Sequence, residues 1–177
     1  MAESNNSDNG QVSIWPIAWR FSFITAGCLF LYSLFLYATG LVTSSFLGLV
    51  STVIFIVLLV TALKKYRAAN NGYMTFGQAS LIGLAITVVA NVISSALEAV
   101  YFAVAGDSMM KVLDEIKAQL ESSGIDQQMV DMLMNFYNFV FTPVGIFIMG
   151  TCTGVIAGVV ISLIVAAIVR NPPPITE

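Results

Sequence analysis

Four long apolar stretches separated by polar turns dominate the chain. A helix needs about 20 apolar residues to cross a hydrocarbon core of ~30 Å. Runs over roughly 21–41, 46–63, 76–105 and 139–169 meet that length and predict four spans. At ~1.5 Å per residue each of the last two would extend roughly 45 Å, so they must tilt or project beyond the hydrocarbon. Between them the pattern changes. Met109, Leu113, Ile116 and Leu120 recur on one helical face, with Lys111, Asp114, Lys117 and Glu121 on others. Ser122, Ser123 and Gly124 stop that helix. Asp126 is placed to cap a second, with Ile125 stapling against Val130, and Met129, Leu133 and Phe136 continue an apolar face. The prediction is an amphipathic helical hairpin over 107–137. Its methionines are expected to fill an irregular contact between hairpin and spans; left exposed, they would form a docking surface for protein or lipid.

The punctuation between elements agrees with this layout. Asn70, Asn71 and Gly72 are turn formers. Thr75 followed by Gln78 matches a capping box that starts the third span. Asn171 and the prolines 172–174 end the fourth. The fold class is therefore all-α, an antiparallel four-span bundle over 16–170 with a hairpin between spans three and four. A disordered tail is expected over 1–15 and a proline-rich tail over 171–177. The polar start lacks the basic residues of a secretory signal, so the first span is expected to be retained.

Composition sharpens the picture. Fifty-eight per cent of residues are apolar and ten per cent charged, against about 25% charged in soluble domains; the chain belongs with membrane proteins, its first partner the lipid bilayer. The net charge of -3 excludes the basic stripe of a nucleic-acid binder. No histidine is present, which removes the commonest metal ligand and general base. Cys28 and Cys152 lie inside apolar runs and read as small buried hydrophobes, so no metal or other cofactor is expected. Arg20, Lys64, Lys65, Arg67 and Arg170 flank one end of the spans, whereas Lys111 and Lys117 share the 106–138 connection with six acids. The positive-inside rule then places both termini in the cytoplasm, with Lys64, Lys65 and Arg67 as an anchor and the acidic hairpin outside.

Candidate chemistry is concentrated in span three. Thr87, Asn91, Ser94, Ser95 and Glu98 recur at intervals of three and four, along one face that begins near Gln78. A central carboxylate disfavours insertion by ~2.5–3.5 kcal/mol, so this stripe should face the other spans. Gly150, Gly154 and Gly158, with Gly145 nearby, make a track along which a helix can pack closely. A polar stripe on a glycine track needs no ligand. If Glu98 is deep, it is instead a site for a cation, a proton or a polar headgroup. Nothing assembles into a catalytic constellation, since no base stands ready for a nucleophile and no phosphate loop is present; the protein is expected not to be an enzyme.

The stretch LKKYRAANNGYMTFGQASLIGLAI (63–86) and the ending GTCTGVIAGVVISLIVAAIVR (150–170) resemble a family of small four-helix bacterial inner-membrane proteins catalogued as a domain of unknown function. The resemblance implies the bacterial cytoplasmic membrane, no established activity, and an association with polyprenyl-phosphate sugar-transfer enzymes. Three roles follow as expectations. The foremost is a scaffold or accessory subunit that associates with another membrane protein or with itself. The others are a small transporter or lipid flippase working through Glu98, and the membrane anchor of a glycosyltransferase docked on the Lys64–Arg67 loop.

Overall fold

The computed structural model describes residues 12–41, 45–104 and 106–173. Most of the two expected tails, and the side chains of Asp107 and Met109, fall outside the described residues. Among the described residues six helices follow one another: α1 (Trp15–Thr39), α2 (Ser45–Ala69), α3 (Phe76–Val104), α4 (Gly106–Ser122), α5 (Gln127–Val140) and α6 (Pro143–Val169). Cys28 on α1 and Cys152 on α6, expected to be buried, are exposed on the outer faces of their apolar helices. Four of them, α1, α2, α3 and α6, are long and apolar enough to cross a membrane. They pack as a ring in the order α1, α3, α6, α2.

The boundaries depart from the apolar runs where a local signal overrides hydropathy. α1 starts six residues before the run at 21, because Pro16 sits in its first turn, where its missing N–H is no loss. Trp15 and Trp19 are half-exposed at this end, as expected of an aromatic belt at a membrane surface. α2 continues through Lys64, Lys65 and Arg67, since charge does not stop a helix that has left the hydrocarbon. α6 begins at Pro143 rather than 139, with Thr142 Oγ1 accepting from the Gly145 N–H at 3.0 Å. The capping box is present: Gln78 Oε1 accepts from the Thr75 N–H at 2.9 Å and Thr75 Oγ1 from the Gln78 N–H at 3.3 Å. Asp126 stands at the N-cap of α5 but its side chain makes no capping bond there. Gly124 takes φ +69, the left-handed geometry that closes α4.

One end of the bundle is sealed. Phe21, Phe55, Leu59, Leu63, Tyr66, Ile82, Ile86 and Val165 form a buried cluster there. Backbone ties close it further. Met74 and Asn171 exchange two hydrogen bonds, at 2.7 and 2.9 Å, so the start of α3 holds the end of α6. Asn70 accepts from the Val12 N–H at 3.2 Å and donates to the Tyr73 carbonyl at 2.9 Å, while the Tyr66 hydroxyl donates to the Val12 carbonyl. Arg67 donates to the Val169 carbonyl at 3.4 Å, a cation on the negative end of α6. This basic end also carries Arg20, Lys64, Lys65 and Arg170.

The hairpin helices α4 and α5 pack on each other at the opposite end. Of its methionines, expected between hairpin and spans, Met110, Met129 and Met132 are exposed and Met134 is half-buried, while Val112 and Val130 are buried.

Asn70→Ala removes both of that residue's ties at the sealed end. It is expected to lower stability by ~1–3 kcal/mol, the usual effect of leaving such groups unpaired. Denaturation by SDS in mixed micelles measures it; an unchanged midpoint would show that the tie contributes nothing.

Candidate functional site

The stripe on α3 divides between two uses. Gly150 faces Ser95, Gly154 faces Asn91 and Gly158 faces Thr87, and the series continues with Ser162 against Gly83. Each step moves four residues forward on α6 and four back on α3, the register of two antiparallel helices in close contact. A methyl placed on Gly158 would stand 2.5 Å from Thr87 Cγ2, and one on Gly154 would overlap the Asn91 amide. Gly145 is not part of this track; it packs on the Phe139 and Val140 carbonyls at the α5–α6 corner.

Hydrogen bonds run within the seam. The Thr87 hydroxyl donates to the Gly83 carbonyl at 2.8 Å and shares a 2.7 Å bond with Ser162 Oγ across the helices. Asn91 Nδ2 donates to the Thr87 carbonyl at 2.8 Å. In hydrocarbon an unpaired hydroxyl or amide is unfavourable, and the Thr87, Asn91 and Ser162 side chains each find a carbonyl or hydroxyl. Thr87 and Ser162 are fully buried. They lie inside the α3–α6 contact.

Glu98 has a different setting. It lies one turn beyond Ser95, with Ser33 and Tyr37 of α1 beside it around the same cavity. Six residues, roughly 9 Å of helix, separate it from the end of α3, so it lies towards the hairpin-side end of the span. The carboxyl lines a cavity of about 280 Å³ together with Tyr32, Ser33, Tyr37, Asn91, Ser94 and Ser95. Leu29, Ser51 and Asn91 also line a second cavity, of about 220 Å³, that descends beside Gly154 and Gly158 to Phe55 and Ile161. Tyr37 in turn borders a third, of about 340 Å³, with Lys111 and Glu115 of α4 on its far wall. Through these shared residues the three adjoin as a cleft that runs from Phe55 and Ile161, past Glu98, to the α4 side chains Lys111 and Glu115.

All four spans contribute to it. The first two cavities are lined, among the described residues, by a carboxylate, hydroxyls, an amide and apolar groups, with no lysine or arginine. No cluster of three potential metal-ligating acids or cysteines occurs among the described residues. Such a set suits a single positive charge, held by Glu98 and by hydroxyl oxygens, with the Tyr37 ring available as a cation–π face.

Of the residues expected to form a site, Glu98, Asn91, Ser94 and Ser95 line the cleft. Thr87 is in the seam, and Gln78 is the cap of α3 at the sealed end, more than ~25 Å of helix from Glu98. Tyr32 and Tyr37, which the sequence offers as hydroxyl donors for a buried Glu98, line the cleft; Ser33 and Ser51 line it too and carry no sequence signal, because α1 and α2 are apolar on every side and present no phase. The anchor residues differ too: Lys64 and Lys65 are exposed, while Arg67 is half-buried against α6.

An all-helical bundle of four apolar spans around a polar cleft defines a multi-pass membrane protein. A protein-family model described as "Protein of unknown function (DUF4199)" matches residues 20–171, and the chain belongs to that family. No curated protein and no solved structure matches it.

The seam yields a graded prediction. Gly158→Val overpacks α6 on Thr87 and is expected to destabilise by ~1–3 kcal/mol. Ser162→Ala removes one interhelical bond, worth ~0.6 kcal/mol in a bilayer. Gly77→Ala, where an added methyl meets nothing within 4 Å, should be neutral or slightly stabilising. Unfolding in mixed micelles ranks the three; equal effects would refute close packing as the source of the seam.

Proposed function

We propose that this protein is a non-enzymatic carrier of the bacterial cytoplasmic membrane that accepts a small cationic ligand into the Glu98 cleft from the hairpin side. One observation carries the reading: an acid inside the spans is not used in helix packing and stands instead in a cavity lined by neutral polar groups. Intramembrane acids that face a cavity mark pathways for ions and substrates. The deeper cavity continues the path from Asn91 towards Phe55 and Ile161, which belong to the packed cluster of the sealed end.

The topology that goes with this reading has both termini in the cytoplasm and the hairpin outside. Arg20, Lys64, Lys65, Arg67 and Arg170 gather at the sealed end, which supports it through the positive-inside rule. The two other roles have less behind them. A scaffold would offer its glycine track to a partner, and here α3 already occupies Gly150, Gly154 and Gly158. An enzyme anchor would offer the Lys64–Arg67 loop, and Arg67 is tied to α6.

Proteoliposomes holding wild-type protein are expected to take up radiolabelled methylammonium or tetramethylammonium. Glu98→Gln keeps the size and polarity of the side chain and should abolish that uptake. Uptake of neither cation above protein-free vesicles, or equal uptake by both proteins, would overturn the reading.

A further inference from the structure

The short helix before α6 has three faces rather than two. Val130, Leu133 and Tyr137 turn inward on α5, with Val130 fully buried. Gln127, Gln128, Asp131, Asn135 and Asn138 share an exposed polar face. Between these lies a third face, of Met129, Met132, Phe136 and Phe139, spaced three and four residues apart. Those side chains are 50%, 64%, 50% and 54% exposed, and no polar residue interrupts them. An apolar strip of this kind on a water-facing helix is unfavourable unless something covers it.

We infer that this strip of α5 lies in the lipid at the hairpin-side membrane surface, as an interfacial helix. The connection to α6 is the first argument. Only Phe141 and Thr142 intervene, and they are held: the Phe141 N–H donates to the Tyr137 carbonyl at 2.9 Å and the Ile146 N–H to the Thr142 carbonyl at 2.8 Å. Gly145 is pressed on the last carbonyls of α5, so the corner has no room to swing. Helix α6 has 27 residues, roughly 40 Å, and outreaches a ~30 Å core; its first turns therefore stand at headgroup level. The second argument is continuity. Past the corner, Val144 and Ile148 are exposed on α6, so the apolar strip runs on into the surface that faces hydrocarbon. A second copy of the chain is the weaker occupant, because four half-exposed side chains fall well short of the ~800 Å² per partner that stable interfaces bury. Apolar burial is what holds α5, since its polar face has Asp131 as its charged residue and no cation for anionic headgroups.

Spin labels test this independently of any ligand. In a Cys28→Ala, Cys152→Ala background, nitroxides are attached to Met132→Cys, Phe136→Cys, Asn135→Cys or Asn138→Cys, each in phosphatidylcholine nanodiscs. These sites are exposed, so labelling leaves the fold intact. Collisions with oxygen, which partitions into lipid, should exceed those with a water-soluble nickel chelate severalfold at 132 and 136. The order should reverse at 135 and 138. Nickel dominating at all four sites would place α5 in water and overturn the inference. Exclusion of both reagents at 132 and 136 would place protein there, a second copy if dipolar broadening accompanies it, and would overturn it equally.

Discussion

The close antiparallel contact between α3 and α6 is the constraint from which the rest follows. Inside a bilayer apolar residues gain nothing by leaving lipid for protein, so helices associate through contact area and the pairing of polar groups. Gly150, Gly154, Gly158 and Ser162 strip α6 of bulk every fourth residue, and α3 fills the space with Ser95, Asn91 and Thr87 and answers Ser162 with Gly83. The Thr87, Asn91 and Ser162 side chains, which would be unfavourable in lipid, are paired with one another or with carbonyls of the same two helices. Dispersion over this length outweighs any one of the hydrogen bonds, which in membranes average ~0.6 kcal/mol.

With α3 committed to α6 on one side and to α1 on another, α2 is left to complete the ring, and it does so unequally. Near the basic end its Leu59, Leu63 and Tyr66 are fully buried. Towards the hairpin it offers Ser51 and Thr52 to a space instead of to a neighbour. A bundle sealed at one end and hollow at the other is the outcome. Glu98 sits on the hollow side, one turn past the last close contact, where the α1 side chains Ser33 and Tyr37 reach it. The acid is tolerable there because the cleft, not lipid, surrounds it.

Much of this was legible from the residues. The four apolar runs, the capping box at Thr75 and Gln78, the stop at Gly124 and the glycine track all act through local chemistry or a period visible along one helix. What escaped depends on signals of another kind. The start of α1 at Trp15 is set by Pro16 against the hydropathy trend, because Arg20 interrupts the apolar run. The α6 boundary was hidden by Phe139 and Phe141, which are apolar but belong to the hairpin. The cleft was half visible. Its α3 wall shows as a stripe, whereas its α1 wall does not, since serines and tyrosines in a uniformly apolar helix mark no face. Asn91 and Thr87 read alike in sequence, and their different fates are decided by which neighbour α6 places opposite each.

The central claim is that Glu98 shares an aqueous space with the hairpin side while Thr87 and Ser162, about three turns away, are sealed in protein. Thiol modification in intact cells tests it most directly. In protein lacking Cys28 and Cys152, Ser33→Cys stands for the cleft and Ser162→Cys for the seam, and the reagent is an impermeant, positively charged methanethiosulfonate. The account predicts modification of the first from outside the cell and none of the second. A Ser33→Cys that reacts only after lysis, or a Ser162→Cys that reacts as readily, would contradict it.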